Sequence, residues 1–172
     1  MAEPIIRLLT HAEMREHLPK FRHLAIAAYG VYEEGLGKEE FAKMMDRFQT
    51  KEFWEEIFAK AQAIVCEAEG ACVGMAFLVP SGNPWRFVKA EWAFVRMVGV
   101  LPNMQGRGIA RRLMLELIDL AERQGEKIMA LHTSDMMHAA RHLYQDLGFE
   151  MDHELEPRGN ARYWVYTLRL KG

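Results

Sequence analysis

Apolar residues recur along the chain with two periods, and the places where one period gives way to the other divide it into elements. Ile109, Ala110, Leu113, Met114, Leu117, Ile118 and Ala121 are separated by alternating steps of one and three, which puts them on one face of a helix. Gly125 marks its C-terminal stop. Before it, Phe94 to Val100 is an apolar run broken only by Arg96, the mark of a buried strand that Pro102 and Asn103 end.

The same reading covers the rest of the chain. Pro4 to Leu9 predicts a short strand, and Thr10 with Glu13 has the form of a capping box. The helix it opens carries Met14 and Leu18 and meets Pro19, which kinks or breaks it. Helical spacing resumes at Phe21, Leu24, Ala25 and Ala28, and Tyr29 to Gly37 reads as a loop. Phe41, Met44, Met45 and Phe48 form one further helical face, and Trp54, Ile57, Phe58 and Ala61 another. Ala63–Ala68 and Ala71–Val79 read as a hairpin about Glu69-Gly70.

Pro80 to Pro84 has loop composition, and Trp85 and Phe87 beside it either contact a substrate or pack on the sheet edge. Ile128 to Thr133 is a strand. Ser134 or Asp135 caps a helix with Met136, Ala140, Leu143 and Leu147 inside, which Gly148 ends. Phe149 to Leu155 is irregular to extended, and Tyr163 to Leu170 is the last strand. A parallel crossover joins the strands around residues 94–133, whereas the preceding hairpin is antiparallel. The predicted class is therefore α/β (mixed α+β): a mixed central sheet with helices on both faces.

At 172 residues the length suits a single domain spanning 1–172 with a sizeable core. Hydrophobic residues make up 50% and charged residues 27%, the balance of an ordinary soluble protein. A net charge of −2 argues against a nucleic-acid partner. No apolar run suits a membrane span and the N-terminus lacks a signal-peptide layout, so a cytoplasmic location is expected. The two cysteines, Cys66 and Cys72, read as reduced core thiols. The twelve methionines read mainly as core filler.

Candidate chemistry concentrates where the apolar strand meets the long helix. A strand, a glycine-containing loop and a helix N-terminus make an anion site, because the first-turn amides are unpaired and carry partial positive charge. Gly106 and Gly108 let the backbone approach a ligand closely. Arg107, Arg111 and Arg112 are the wrong charge for an empty helix start and the right one for a bound phosphate. The P-loop string is absent, and the dinucleotide fingerprint lacks its third glycine, because Arg111 stands there.

The segment Gln105-Gly106-Arg107-Gly108-Ile109-Ala110 resembles the Gln/Arg-x-x-Gly-x-Gly/Ala acyl-CoA loop of the GCN5-related N-acetyltransferases, the GNAT superfamily. A second block, Ala140-x-x-Leu143-Tyr144-x-x-x-Gly148-Phe149, also resembles that family. Together they cover about the C-terminal half. The resemblance implies a fold whose two parallel central strands splay apart around acetyl-CoA. It assigns the pantetheine arm to the backbone of Val98, Gly99 and Val100, with Gly99 allowing a bulge or close approach. The pyrophosphate goes to Gln105, Gly106, Arg107, Gly108, Ile109, Ala110 and Arg111. Tyr144 is placed to protonate the leaving thiolate.

The resemblance leaves the general base open. Relatives carry Glu where Phe94 stands, and often Asn where Met137 stands. The candidates are Glu91, the nearest upstream carboxylate, Asp135, His132 or ordered water. His138 and His142 have metal-ligand spacing but no third partner, so no metal is expected. The acceptor pocket is expected between the Phe41–Phe58 segment, the Pro80–Phe87 loop and Tyr144, with Glu33, Glu34 and Glu91 attracting a cationic amine on a partly apolar body. The implied function is acetyl transfer from acetyl-CoA to a small-molecule or peptide primary amine. A non-catalytic acyl-CoA-binding module is the alternative, and homodimers are common in the family.

Overall fold

The structure is a computed structural model and describes residues 2–172. In chain order the elements are β1 (Ile5–Leu8), α1 (His11–Glu16), α2 (Leu18–Tyr29), α3 (Glu33–Leu36), α4 (Lys38–Gln49), α5 (Lys51–Lys60), β2 (Gln62–Ala68), β3 (Ala71–Val79), β4 (Ala93–Val100), α6 (Ile109–Arg123), β5 (Ile128–Ser134), α7 (His138–Asp146), β6 (Glu150–Arg158) and β7 (Ala161–Arg169). The strands form one seven-stranded sheet in the order β1-β2-β3-β4-β5-β7-β6.

The sheet is antiparallel except at its centre, where β4 and β5 run parallel. These two strands pair only at Ala93–Met129 and Phe94–Ala130. Beyond Phe94 they part, as expected of splayed strands. A bulge in β4 contributes to the divergence: two steps along β3, from Met75 to Phe77, match three along β4, from Gly99 to Arg96. The extra residue is accommodated at Met97, whose φ of 55° is in the left-handed region. Gly99 serves a different purpose from the expected bulge. A Cβ there would lie 3.3 Å from Ala28 and Leu24, so the glycine lets α2 pack against β4.

Alternation along the strands divides the core in two. Ala63, Val65, Met75 and Phe77 pack with Phe21, Trp54 and Phe58 beneath α1–α5. Ile64, Cys66, Ala76 and Leu78 pack with Leu113, Met114 and Leu117 beneath α6 and α7. Full burial of each of the Val, Ile, Leu, Met and Phe side chains contributes about 1.5–3 kcal/mol. Cys66 and Cys72 are free and lie in opposite halves of the core, and burial pushes the Cys72 thiol up to about 11.

The break expected at Pro19 falls at His17, and the chain restarts as α2 with Pro19 in its first turn, where a missing N–H costs nothing. Two local features depart from the expected pattern. The expected Tyr29–Gly37 loop is a 3₁₀ turn, Gly30–Tyr32, followed by α3. Residues beyond Phe149 form a complete strand, β6, at the sheet edge. Nearly every β6 residue is exposed, so its polar composition gave no alternation.

Candidate active site in the gap between β4 and β5

The divergence of β4 and β5 opens a cavity of about 840 Å³. One end is bounded by Met104 to Arg111, the middle by Val98, Gly99, Val100 and Tyr144, and the other end by Phe53, Trp85, His132 and Tyr163. Of the twelve residues assigned from sequence, ten line this space and Arg107 sits on the loop that does; Glu91 is the exception.

The anion-site end is built by Gly106 and Gly108, both at φ 78°, a conformation natural to glycine. Gly108 is the N-cap of α6, and the first intrahelical bond runs from the Arg112 amide to the Gly108 carbonyl at 3.1 Å. The amides of Ile109, Ala110 and Arg111 therefore precede the helix ladder. A Cβ on Gly106 or Gly108 meets nothing within 4 Å, so the loop leaves an open cradle in front of these amides. No acidic side chain occupies the first turn. Gln105 folds back, its Nε2 donating to the Val100 carbonyl at 3.3 Å. Arg111 pairs with Asp146 of α7 at 3.1 Å, tying the two helices together beside the cavity. Arg107 is exposed on the loop, and Arg112 borders a separate shallow groove beside Pro4 and Ile5.

At mid-cavity the Tyr29 hydroxyl donates to the Val98 carbonyl at 3.0 Å. Tyr144, on α7, is buried at 7% exposure, its ring 5.9 Å from that of Phe149. Burial, with a smaller contribution from Tyr32, raises the Tyr144 phenol well above its ordinary range and holds it protonated.

The far end is aromatic and basic. Trp85 stacks on Phe94 at 5.6 Å, and Phe87 meets His132 edge-on at 5.0 Å. Both belong to the cavity wall, as do Met44, Phe48 and Phe53 of the Phe41–Phe58 segment, whereas Trp54 and Phe58 are core. His132 is pushed down to about 4 by burial first, then by Arg158, Arg96, Arg86 and Arg47, so its imidazole is neutral at pH 7.

The carboxylates expected here are elsewhere. Glu91 is exposed in the turn before β4, where β4 and β5 are still paired, and lies outside the cavity. Asp135 also lies outside, its Oδ1 accepting from the Arg162 amide at 3.2 Å. Glu33 and Glu34 are exposed on α3 and do not line it, so the expected acidic lure gives way to a basic wall. His142 faces Asp146 at 3.7 Å, and among the described residues no three His, Cys, Asp or Glu side chains form a metal cluster. Sequence reasoning missed Tyr29, Tyr32, Arg47, Arg86, Arg158 and Tyr163, which line the cavity from elements remote in sequence. No local motif marked them.

Comparison with known proteins agrees with this geometry. The Acetyltransferase (GNAT) family profile matches residues 29–149. L-amino acid N-acyltransferase MnaT of Escherichia coli (strain K12) is 34% identical over 87 residues, covering 50% of this chain and 48% of that protein. The chain thus spans about half the length of the curated relatives it matches. Among solved structures, the paia N-acetyltransferase of Thermoplasma acidophilum in complex with coenzyme A superposes with a TM-score of 0.70 at 14% identity, covering 98% of this chain and 99% of that one. The yncA structure from Salmonella typhimurium with its cofactor acetyl-CoA gives 0.65 at 21% identity, covering 99% and 96%. At these identities the two structures show a shared fold.

Proposed function

Since the chain belongs to the Acetyltransferase (GNAT) family, we propose that it is an acyl-CoA-dependent N-acyltransferase that moves acetyl from acetyl-CoA to a primary amine. Residues 1–172 act as one catalytic domain. The observation that carries this reading is a single cavity that joins the open amide cradle at Gly106–Ala110 to the protonated phenol of Tyr144.

The residues present fit the donor. The free amides of Ile109, Ala110 and Arg111 and the open Cβ positions of Gly106 and Gly108 hold the pyrophosphate. The exposed edge of β4 from Val98 to Val100 pairs with the amides of the pantetheine arm. Acetyl-CoA supplies an activated thioester carbonyl. The amine nitrogen bonds to that carbon, the carbon–sulfur bond breaks, and the amine releases a proton. Tyr144 donates its hydroxyl proton to the departing sulfur. Burial keeps the phenol protonated at rest but weakens it as an acid, so the transfer accompanies carbon–sulfur cleavage and the phenolate regains its proton from solvent.

With Glu91 outside the cavity, His132 is the side chain best suited to accept the amine proton, because it faces the cavity with a neutral ring. Its low basicity limits it to relaying the proton toward solvent.

The reading is tested by following thiol release from acetyl-CoA over a panel of amines. Release that depends on the amine is the expected result. Coenzyme A binding without release for any amine would favour the non-catalytic module, for which Phe94 and Met137 speak, each standing where the family resemblance leads one to expect a polar side chain.

A further inference from the structure

The far end of the cavity holds an unusual concentration of one functional group. Arg47 comes from α4, Arg86 from the β3–β4 loop, Arg96 from β4 and Arg158 from β6, and all four line the wall. Each guanidinium lies against an aromatic face. Arg96 is 4.4 Å from the Trp85 ring and 5.6 Å from Phe53, and Arg47 is 5.9 Å from Phe53. Arg86 is 4.9 Å from Trp85, and Arg158 is 5.7 Å from Tyr163. Stacking fixes the plane of a guanidinium and leaves its edge N–H groups free.

These cations are poorly neutralised. Among the described residues only Arg96 has an ion pair, at 3.9 Å to Glu56, a side chain that is 59% exposed. The other carboxylate of the wall, Glu156, is also exposed. Four guanidiniums thus share the wall with two carboxylates, Glu40 acts on Arg47 through space without pairing with it, and the Arg47 Nε is buried without any hydrogen-bond partner. Arg47, Arg96 and Arg158 are half-buried and Arg86 is exposed at their edge; half-buried like charges repel unless something negative joins them. Arg86 is held at φ 42°, a left-handed conformation that costs energy in a non-glycine residue.

The phosphates of the donor do not answer this need. The anion cradle follows the C-terminal end of β4, whereas Arg96 lies toward its start. Because of the bulge at Met97, Arg96 to Val100 matches three steps of β3, from Phe77 to Gly74, or roughly 10 Å of strand at about 3.3 Å per residue. The arginines therefore belong to the acceptor side.

We propose that the acceptor is a small amine bearing two carboxylates, which Arg47, Arg86, Arg96 and Arg158 grip in the cavity mouth opposite the acetyl-CoA loop. The proposal rests on the acyltransferase reading above. A carboxylate accepts up to about four hydrogen bonds, so four forked donors suit two carboxylates. The aromatic faces between the arginines accommodate the short aliphatic body that joins them.

The test uses L-glutamate, L-glutamine and L-glutaminamide, which present two, one and no carboxylates at nearly constant volume. Their binding to the coenzyme A-loaded protein is measured by calorimetry, and thiol release from acetyl-CoA is followed in parallel. Affinity is expected to fall by roughly tenfold or more for each carboxylate removed. Arg86→Gln and Arg158→Gln are expected to weaken glutamate roughly ten- to a hundredfold, to affect glutaminamide little, and to leave coenzyme A affinity unchanged. Equal binding of the three amines, absent binding of all three, or a preference for the amide overturns the proposal. Charge-ranked binding with no thiol release for any amine sustains the proposal for the pocket and overturns the acyltransferase reading instead.

Discussion

The Tyr29 hydroxyl and the Val98 carbonyl are joined by a 3.0 Å hydrogen bond across the floor of the cavity. The bond ties the last residue of α2 to the bulged stretch of β4, one residue after the left-handed Met97. It also engages one of the carbonyls that the family resemblance assigned to pantetheine, as Gln105 Nε2 does at Val100.

Tyr29→Phe is therefore expected to destabilise the fold, because it removes the donor to a part-buried carbonyl. The cost is about 0.5–1.5 kcal/mol. Urea unfolding of the two proteins measures it, and an unchanged midpoint would show that the bond does not brace the bulge.

Gly108 separates fold from binding. Its Cβ position is open but its φ is 78°, so Gly108→Asp strains the backbone by about 1 kcal/mol, less than for most residues because Asp visits this region. A carboxylate at the start of α6 also projects into the phosphate cradle. Coenzyme A affinity should fall more than tenfold, on the order of 1.4 kcal/mol or more, while the melting temperature falls by only about 2–4 °C. Calorimetry that finds the same affinity in both proteins removes the loop from the donor site.

Tyr144→Phe keeps the ring and deletes the proton. Turnover should drop by about 10²–10⁴-fold while coenzyme A affinity holds, the signature of a group that acts in the transition state. Thiol release at the wild-type rate would exclude Tyr144 as the acid.

How much of this was legible in the sequence follows from where each signal lies. The anion cradle and α6 were readable because two glycines, a basic first turn and a helical period fall within one short segment. Tyr144 could be selected by its spacing to Leu143, Gly148 and Phe149. The bulge was harder, because Met97 adopts the left-handed conformation that composition suggests for Gly99. The basic wall was illegible: Arg47, Arg86, Arg96 and Arg158 are far apart in sequence and meet only through the sheet. Glu33, Glu34 and Glu91 misled for the complementary reason, because α3 and the turn before β4 expose them to solvent.

The neutral state of His132 makes stability depend on pH. Its folded pKa, about 4, lies below the ordinary 6.5, owing to burial and then to Arg158, Arg96, Arg86 and Arg47. The unfolded chain binds the proton more readily, so the native state keeps its full stability above 6.5 and loses it as pH falls toward 4. The loss is about 1–3 kcal/mol. Glu13, lowered from 4.5 to about 2 by Arg7 and Thr10, acts in a more acid window. Urea midpoints measured from pH 7 to pH 4 should decline in the wild type and flatten in His132→Asn; parallel profiles would assign the decline to other groups.

Gly159 fixes the position of Arg158. The β6–β7 turn docks on α3, where the Asn160 amide donates to the Leu36 carbonyl at 3.1 Å. Gly159 has φ 56°, and a Cβ there would lie 2.0 Å from the Leu36 oxygen, a distance no side chain tolerates against backbone. Gly159→Ala must therefore push the turn off α3 and carry Arg158 away from the cavity. Local strain and the lost contact should lower stability by about 1–3 kcal/mol. The acceptor KM should rise with coenzyme A affinity unchanged, because the cradle at Gly108 lies on a different element. Thermal unfolding and steady-state kinetics on the same variant check both halves, and a stable protein with an unaltered acceptor KM would show that the turn does not position Arg158.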